Sequence, residues 1–253
     1  MSAGAVYPSL QDRLVVITGG GSGIGAALTE GFARQGARVV FLDVADEDSA
    51  ALVDRLKDAP VAPVYLRCDL TDLEALRAAL LQIVRLHGAV DVLVNNAAND
   101  DRHALGDVTP EYWDQRVAVN LRHLYFAAQA LAPGMREQGR GVILNLGSIS
   151  WHLGLPELSI YETAKAGIEG MTRALARELG VDGVRVCCIV PGNVKTPRQM
   201  KWYTPEGEAE IVAAQCLKGR IEPIDVAALA MFLASDDARF VTGHEYFVDA
   251  GWR

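Results

Sequence analysis

Cysteine is scarce in this chain, four in 253 residues, and no two are spaced C-x-x-C. Cys187 and Cys188 adjoin within an apolar run, while Cys68 and Cys216 stand apart. That pattern excludes a disulfide framework and reads as reduced thiols. No His/Cys/Asp grouping has metal-ligand spacing, so no metal is expected. Basic residues are also few, 24 against 32 acidic, for a net charge of −8. They form no cluster, which argues against nucleic acid or an anionic membrane surface as a partner. No apolar run approaches the ~20 residues of a membrane span. Residues 1–8 lack a basic segment followed by an apolar one, so no secretory signal is indicated and a cytoplasmic location is expected.

What the chain does have is apolar content, 50% of its residues, over a length suited to one large α/β domain. Short runs rich in Val and Ile alternate with helical patterns. Strands are expected at 14–17, 38–42, 64–68, 91–95, 141–147, 184–190 and 245–248. Helices are expected at about 49–57, 72–87, 109–138, 161–180 and 224–234, with Thr109 and Pro110 suited to a helix start. This alternation implies a doubly wound, mostly parallel sheet with helices on both faces. The chain reads as a single domain over 1–253, with an N-terminal extension at 1–12 and no internal repeat or linker.

The first strand runs into Thr18-Gly19-Gly20-Gly21-Ser22-Gly23-Ile24-Gly25 and then a helical segment ending at Gly36. A second strand follows and closes on Asp43. Strand, glycine turn, helix, strand and acid together form a dinucleotide fingerprint. Glycines admit a pyrophosphate to the backbone, and the helix N-terminus offers free N–H groups. A G-x-G-x-x-A pattern can be laid on Gly21, Gly23 and Ala26. The better register starts directly after the strand, with Gly19, Gly23 and Gly25. Asp43 can accept hydrogen bonds from the adenosine ribose and would repel a 2′-phosphate. Neither Val44 nor Ala45 supplies an offsetting cation, so NAD is expected over NADP.

Tyr161 and Lys165 are four residues apart, on one face if the segment is helical. Ser148 lies thirteen residues upstream, just past a strand end. An ammonium beside a phenol favours its ionised form, which would let Tyr161 act as a base. Asn120 falls inside a helix, where asparagine is a poor fit.

Taken together, these motifs resemble the short-chain dehydrogenase/reductase family, of its shorter type, from Leu14 to Gly251. Asp69 after Cys68, Asn95-Asn96-Ala97-Ala98, Asn120, Ser148, Tyr161-x-x-x-Lys165 and Pro191-Gly192 occur in the family's order. Ala98 stands where the family has glycine, a departure that touches backbone near the cofactor. The resemblance implies a Rossmann fold and four catalytic residues: Asn120, Ser148, Tyr161 and Lys165. Tyr161 would take the substrate proton, Lys165 would lower the tyrosine pKa and bind the nicotinamide ribose, and Ser148 would hold the reacting oxygen. Asn120 would bend its helix and hold a relay water. It further implies that Gly19, Ser22, Gly23, Ile24, Gly25, Asp43, Asp69, Leu70, Asn96, Ala97, Tyr161, Lys165, Pro191, Gly192, Val194 and Thr196 bind the cofactor. A homotetramer is implied, formed through the Asn120 and Tyr161 helices.

Segments 99–103, 150–154 and 201–207 are similar to those of bacterial aldose 1-dehydrogenases within the family. They imply a free sugar as substrate, D-xylose or L-arabinose, oxidised at C1 to the aldonolactone. Another aldose such as L-fucose, a 3-keto or 3-hydroxyacyl group, a steroid, and a silent NAD-binding protein stay open as alternatives. The expected substrate residues are Asn99, Ser148, Trp151, Tyr161, Asn193 and Trp202, with Trp151 and Trp202 equally open to packing roles. Segment 195–218 is expected to form a lid that orders over substrate.

Overall fold

A computed structural model describes residues 4–201 and 203–253. Seven strands form one sheet: β1 (Leu14–Thr18), β2 (Arg38–Asp43), β3 (Val64–Arg67), β4 (Val92–Asn95), β5 (Gly141–Leu146), β6 (Val184–Pro191) and β7 (Glu245–Val248). Their order is β3-β2-β1-β4-β5-β6-β7, and every neighbouring pair is parallel. The central strands are apolar at successive positions because both sheet faces are covered. β1, β4 and β5 are buried at every residue.

Nine α-helices are described: α1 (Gly23–Arg34), α2 (Asp46–Arg55), α3 (Leu73–His87), α4 (Pro110–Val117), α5 (His123–Glu137), α6 (Ser150–Leu153), α7 (Ser159–Leu179), α8 (Pro205–Ala214) and α9 (Pro223–Ala234). One core layer packs Leu28 and Phe32 of α1 and Ala227 and Ala230 of α9 on one face of the sheet. The other packs Leu76 and Leu80 of α3, Leu131 of α5 and Leu179 of α7 on the opposite face. The chain order changes direction at β1, so β1 and β4 part their outgoing loops and open a crevice at the carboxyl ends of the strands.

Two expectations need correction. The helix expected to run unbroken over 109–138 is divided by a π turn at Ala118–Arg122, centred on Asn120. The second helix begins three residues earlier than expected, at Asp46. Within the N-terminal extension, Leu10 is fully buried in the core.

Candidate functional site

The glycine turn leaves β1 at the crevice and is held from two sides. Asn96, just past β4, donates its side-chain amide to the carbonyls of Thr18 (3.1 Å) and Gly19 (2.8 Å). The Thr18 hydroxyl oxygen accepts the backbone N–H groups of Asn96 and Ala97. Asp43, ending β2, accepts from the Gly21 N–H (2.8 Å) and from Val44 and Ala45. The turn needs glycine for two separate reasons. Gly19 and Gly23 have φ of +66° and +52°, and a Cβ on Gly25 would lie 1.8 Å from the Gly19 carbonyl oxygen. Helix α1 starts without a side-chain cap from Ser22 and without an acid in its first turn, so its leading N–H groups stay available. Thr196, from the segment after β6, sets its methyl group against Gly23.

The reactive side chains converge on the β5 side of the same crevice. Ser148 lies two residues past β5, and its hydroxyl oxygen accepts from the Ser150 N–H at 3.2 Å. Tyr161 lies in the first turn of α7, on the Ser148 side of the crevice. Lys165, one turn on, is 2% exposed and donates to the Leu146 carbonyl oxygen at 2.8 Å. Its Nζ is 5.3 Å from the centre of the Tyr161 ring.

This corrects the electrostatic expectation. Burial is the largest influence on Tyr161 and raises its pKa above the ordinary value, and the Asp100 charge adds to the rise. The Ser148 hydrogen bond and Arg198 pull the other way. Burial also lowers Lys165, to about 8, because a dry site disfavours the ammonium. Lys165 lies beside the Tyr161 ring, with its nitrogen donating to the Leu146 carbonyl.

Asn120 is fully buried and trades two hydrogen bonds with one residue: its Oδ1 accepts from the Asn99 N–H (2.8 Å), and its Nδ2 donates to the Asn99 carbonyl (2.9 Å). The loop after β4 is thereby pinned to the π turn. Across the crevice, that loop meets the segment following β6. Arg198 bridges Asp100 (3.3 Å) and Asp101 (2.7 Å), and Gln199 donates to Asp100 (2.7 Å). The Tyr203 hydroxyl sits 2.7 Å from the Asn193 side-chain oxygen, which also accepts from Arg220 (3.0 Å).

Comparison with known proteins places this arrangement. A family model described as enoyl-(acyl carrier protein) reductase matches residues 19–253. The chain is 70% identical to D-xylose 1-dehydrogenase of Caulobacter vibrioides (strain NA1000 / CB15N) over 98% of its own length and 99% of the relative's. The chain belongs to the short-chain dehydrogenase/reductase family. It is also 49% identical to a probable galactose dehydrogenase of Rhizobium meliloti (strain 1021), over 97% of this chain and 96% of that one. The crystal structure of gox2181 superposes with a TM-score of 0.89 at 29% identity, covering 97% and 98% of the two chains.

Membership implies a nicotinamide cofactor, and the residues present fit one. The open start of α1, with no acid in its first turn, suits a pyrophosphate, and the glycines at 19, 20, 21, 23 and 25 spare the backbone there most Cβ atoms. Asp69, expected near the adenine, is exposed and accepts from the backbone and hydroxyl of Thr71, while Leu70 beside it is buried.

Of the expected substrate residues, Asn99, Ser148, Tyr161 and Asn193 come together at the crevice. Trp151 does not join them as expected. Its indole N–H is committed to Glu169 on α7 (2.7 Å) and its ring stacks on His152 at 3.8 Å, which fastens α6 to α7. Trp202 lies outside the described residues. Sequence reasoning took in Asp100 and Tyr203 only as members of substrate segments, and Arg198, Gln199 and Arg220 were not singled out. Two adjacent acids in the loop after β4 were the available signal for Asp100.

It also missed His123. This imidazole is wholly buried one residue past the π turn, near the carbonyls of Ala118 and Val119, and neither ring nitrogen has a well-formed hydrogen bond. Burial, and then the Lys165 charge, lower it from 6.5 to about 3. The unfolded chain therefore gains this proton below about pH 6.5, and the native protein does not until about pH 3. Stability should fall as pH drops through that window, by up to about 1.4 kcal/mol per unit from this group. Urea unfolding of wild type and His123→Leu between pH 7 and 5 should show a steeper pH slope in the wild type.

Proposed function

We propose that this protein is an NAD-dependent aldose 1-dehydrogenase. It oxidises the C1 hydroxyl of a pyranose aldopentose, D-xylose before L-arabinose, to the aldonolactone. The observation that carries this reading is 70% identity with a D-xylose 1-dehydrogenase across nearly the whole of both chains. The crevice supports it: Asn99, Asp100, Asn193 and Gln199 offer the fixed polar groups that a ring of hydroxyls requires. The 49% relative favours a second reading, a hexose such as D-galactose, within the same chemistry.

A bound nicotinamide would supply the hydride acceptor for C1. Gly19, Ser22, Gly23, Ile24 and Gly25 would cradle the pyrophosphate. Asp43 and the Asp69–Leu70 pair would bound the adenosine, and Asn96, Ala97, Pro191, Gly192, Val194 and Thr196 would line the nicotinamide half. Ser148 holds the C1 oxygen by hydrogen bonding, and Tyr161 removes its proton, so the C1–O bond becomes a carbonyl as the C–H bond breaks. Lys165 carries the charge that stabilises the resulting pair, and Asn120 keeps the Asn99 loop in place. Proton removal by a positioned base contributes about 10²–10⁴-fold. Tyr161→Phe should therefore lose at least about a hundredfold in kcat with pentose and NAD. NAD affinity, measured by protein fluorescence, should stay within a few-fold of wild type. Retained turnover would remove Tyr161 from this role.

NAD preference follows from Asp43, whose carboxylate is held in place by three backbone N–H groups. Its register partner across the sheet is Arg67, which is paired with Asp46. Asp43→Ser should remove the repelling charge. The ratio of kcat/KM with NAD to that with NADP should exceed tenfold in the wild type and fall at least about tenfold in the variant, an electrostatic change of about 1.4 kcal/mol. Equal use of both cofactors by wild type would contradict the preference.

No helix among the described residues is long and apolar enough to cross a membrane. A cytoplasmic homotetramer completes the proposal. Exposed Trp113 on α4 and Tyr125 on α5 supply apolar surface on the helices expected to form it.

A further inference from the structure

The loop after β4 carries two adjacent carboxylates in different surroundings. Asp101 is gripped by two guanidiniums, Arg116 at 2.9 Å and Arg198 at 2.7 Å, and its charge is answered twice. Asp100 shares Arg198 at the longer distance of 3.3 Å, and its other oxygen accepts one neutral amide, from Gln199 at 2.7 Å. An ionised carboxylate offers about four acceptor positions. These two contacts leave about half of them open on a side chain that is one-third exposed.

The backbone fixes where that side chain stands. Asn120 clamps the preceding residue through both its N–H and its carbonyl. Past the acids, the Arg102 guanidinium donates to the Pro156 carbonyl, and His103 meets Ser159 at the start of α7. The loop is thus tied at one end to the π turn and at the other to the turn that bears Tyr161. Asp100 is close enough to the base that its charge acts on Tyr161 and on Lys165.

We propose that Asp100 is the specificity-determining residue of the sugar site. Its carboxylate accepts hydrogen bonds from ring hydroxyls beside the reacting carbon, while Arg198 and Gln199 hold it in place from the lid. This inference rests on the aldose reading and deepens it. A carboxylate next to the base suits a neutral polyol and repels sugar phosphates and sugar acids. It also discriminates by hydroxyl, because a sugar lacking the partner group leaves acceptor positions of a partly buried carboxylate unfilled.

The test is a cycle between enzyme and substrate. Wild type, Asp100→Asn and Asp100→Ala are assayed at saturating NAD with D-xylose and its 2-, 3- and 4-deoxy analogues. In wild type, at least one deletion should lower kcat/KM by about tenfold or more. In Asp100→Ala that same deletion should cost less than about threefold, with Asp100→Asn in between. NAD binding by fluorescence should be unchanged in all three. Deoxy penalties of equal size in wild type and both variants would overturn the assignment and leave Asp100 a lid contact only. Wild type that turns over no aldose would instead overturn the activity reading, and this inference with it.

Discussion

The site depends on a side-chain amide buried in a widened helical turn. Asn120 is poorly suited to a helix interior, and the chain accommodates it with the π turn at Ala118–Arg122. In return, the amide engages both polar groups of the Asn99 backbone. Everything on the substrate side follows from that clamp. The loop it anchors presents Asp100 and Asp101, and these hold Arg198 and Gln199 of the segment beyond β6. Tyr203, Asn193 and Arg220 extend the same polar chain into the lid. Hydrogen bonds and ion pairs thus connect a helix, a loop and a lid otherwise remote in sequence.

The second constraint is dryness. Lys165 and His123 are both buried near the base, and burial lowers both below their ordinary values. Burial raises Tyr161 in turn. The ordinary values of the two groups lie close together, so burial moves Tyr161 and Lys165 apart and favours the uncharged form of each. Asp100 opposes the phenolate, and Ser148 and Arg198 favour it. The base and the sugar-reading carboxylate are therefore one electrostatic unit.

Much of this was legible in the chain. The alternation of apolar runs gave the sheet, because parallel strands covered on both faces read as continuous Val/Ile segments, as in β1 and β4. Gly19, Gly23, Gly25 and Asp43 were readable because backbone approach and ribose recognition demand those residue types at fixed spacing. Ser148, Tyr161 and Lys165 were found for the same reason. The lid contacts were not, since Asp100 and Gln199 are ninety-nine residues apart and no periodicity encodes their meeting. Trp151 was equally open to a sugar contact and to packing, and only the position of Glu169 on α7 shows where its N–H goes. The sign of the Tyr161 shift was misjudged because sequence spacing shows the nearby cation and hides the desolvation.

The central claim, that Asn120 holds the substrate side of the site through the Asn99 backbone, is tested most directly by Asn120→Ala, with kcat/KM for D-xylose at saturating NAD read beside NAD affinity by protein fluorescence. The account predicts that kcat/KM falls at least about tenfold while NAD affinity stays within a few-fold of wild type. Unchanged kcat/KM in the folded variant would contradict it.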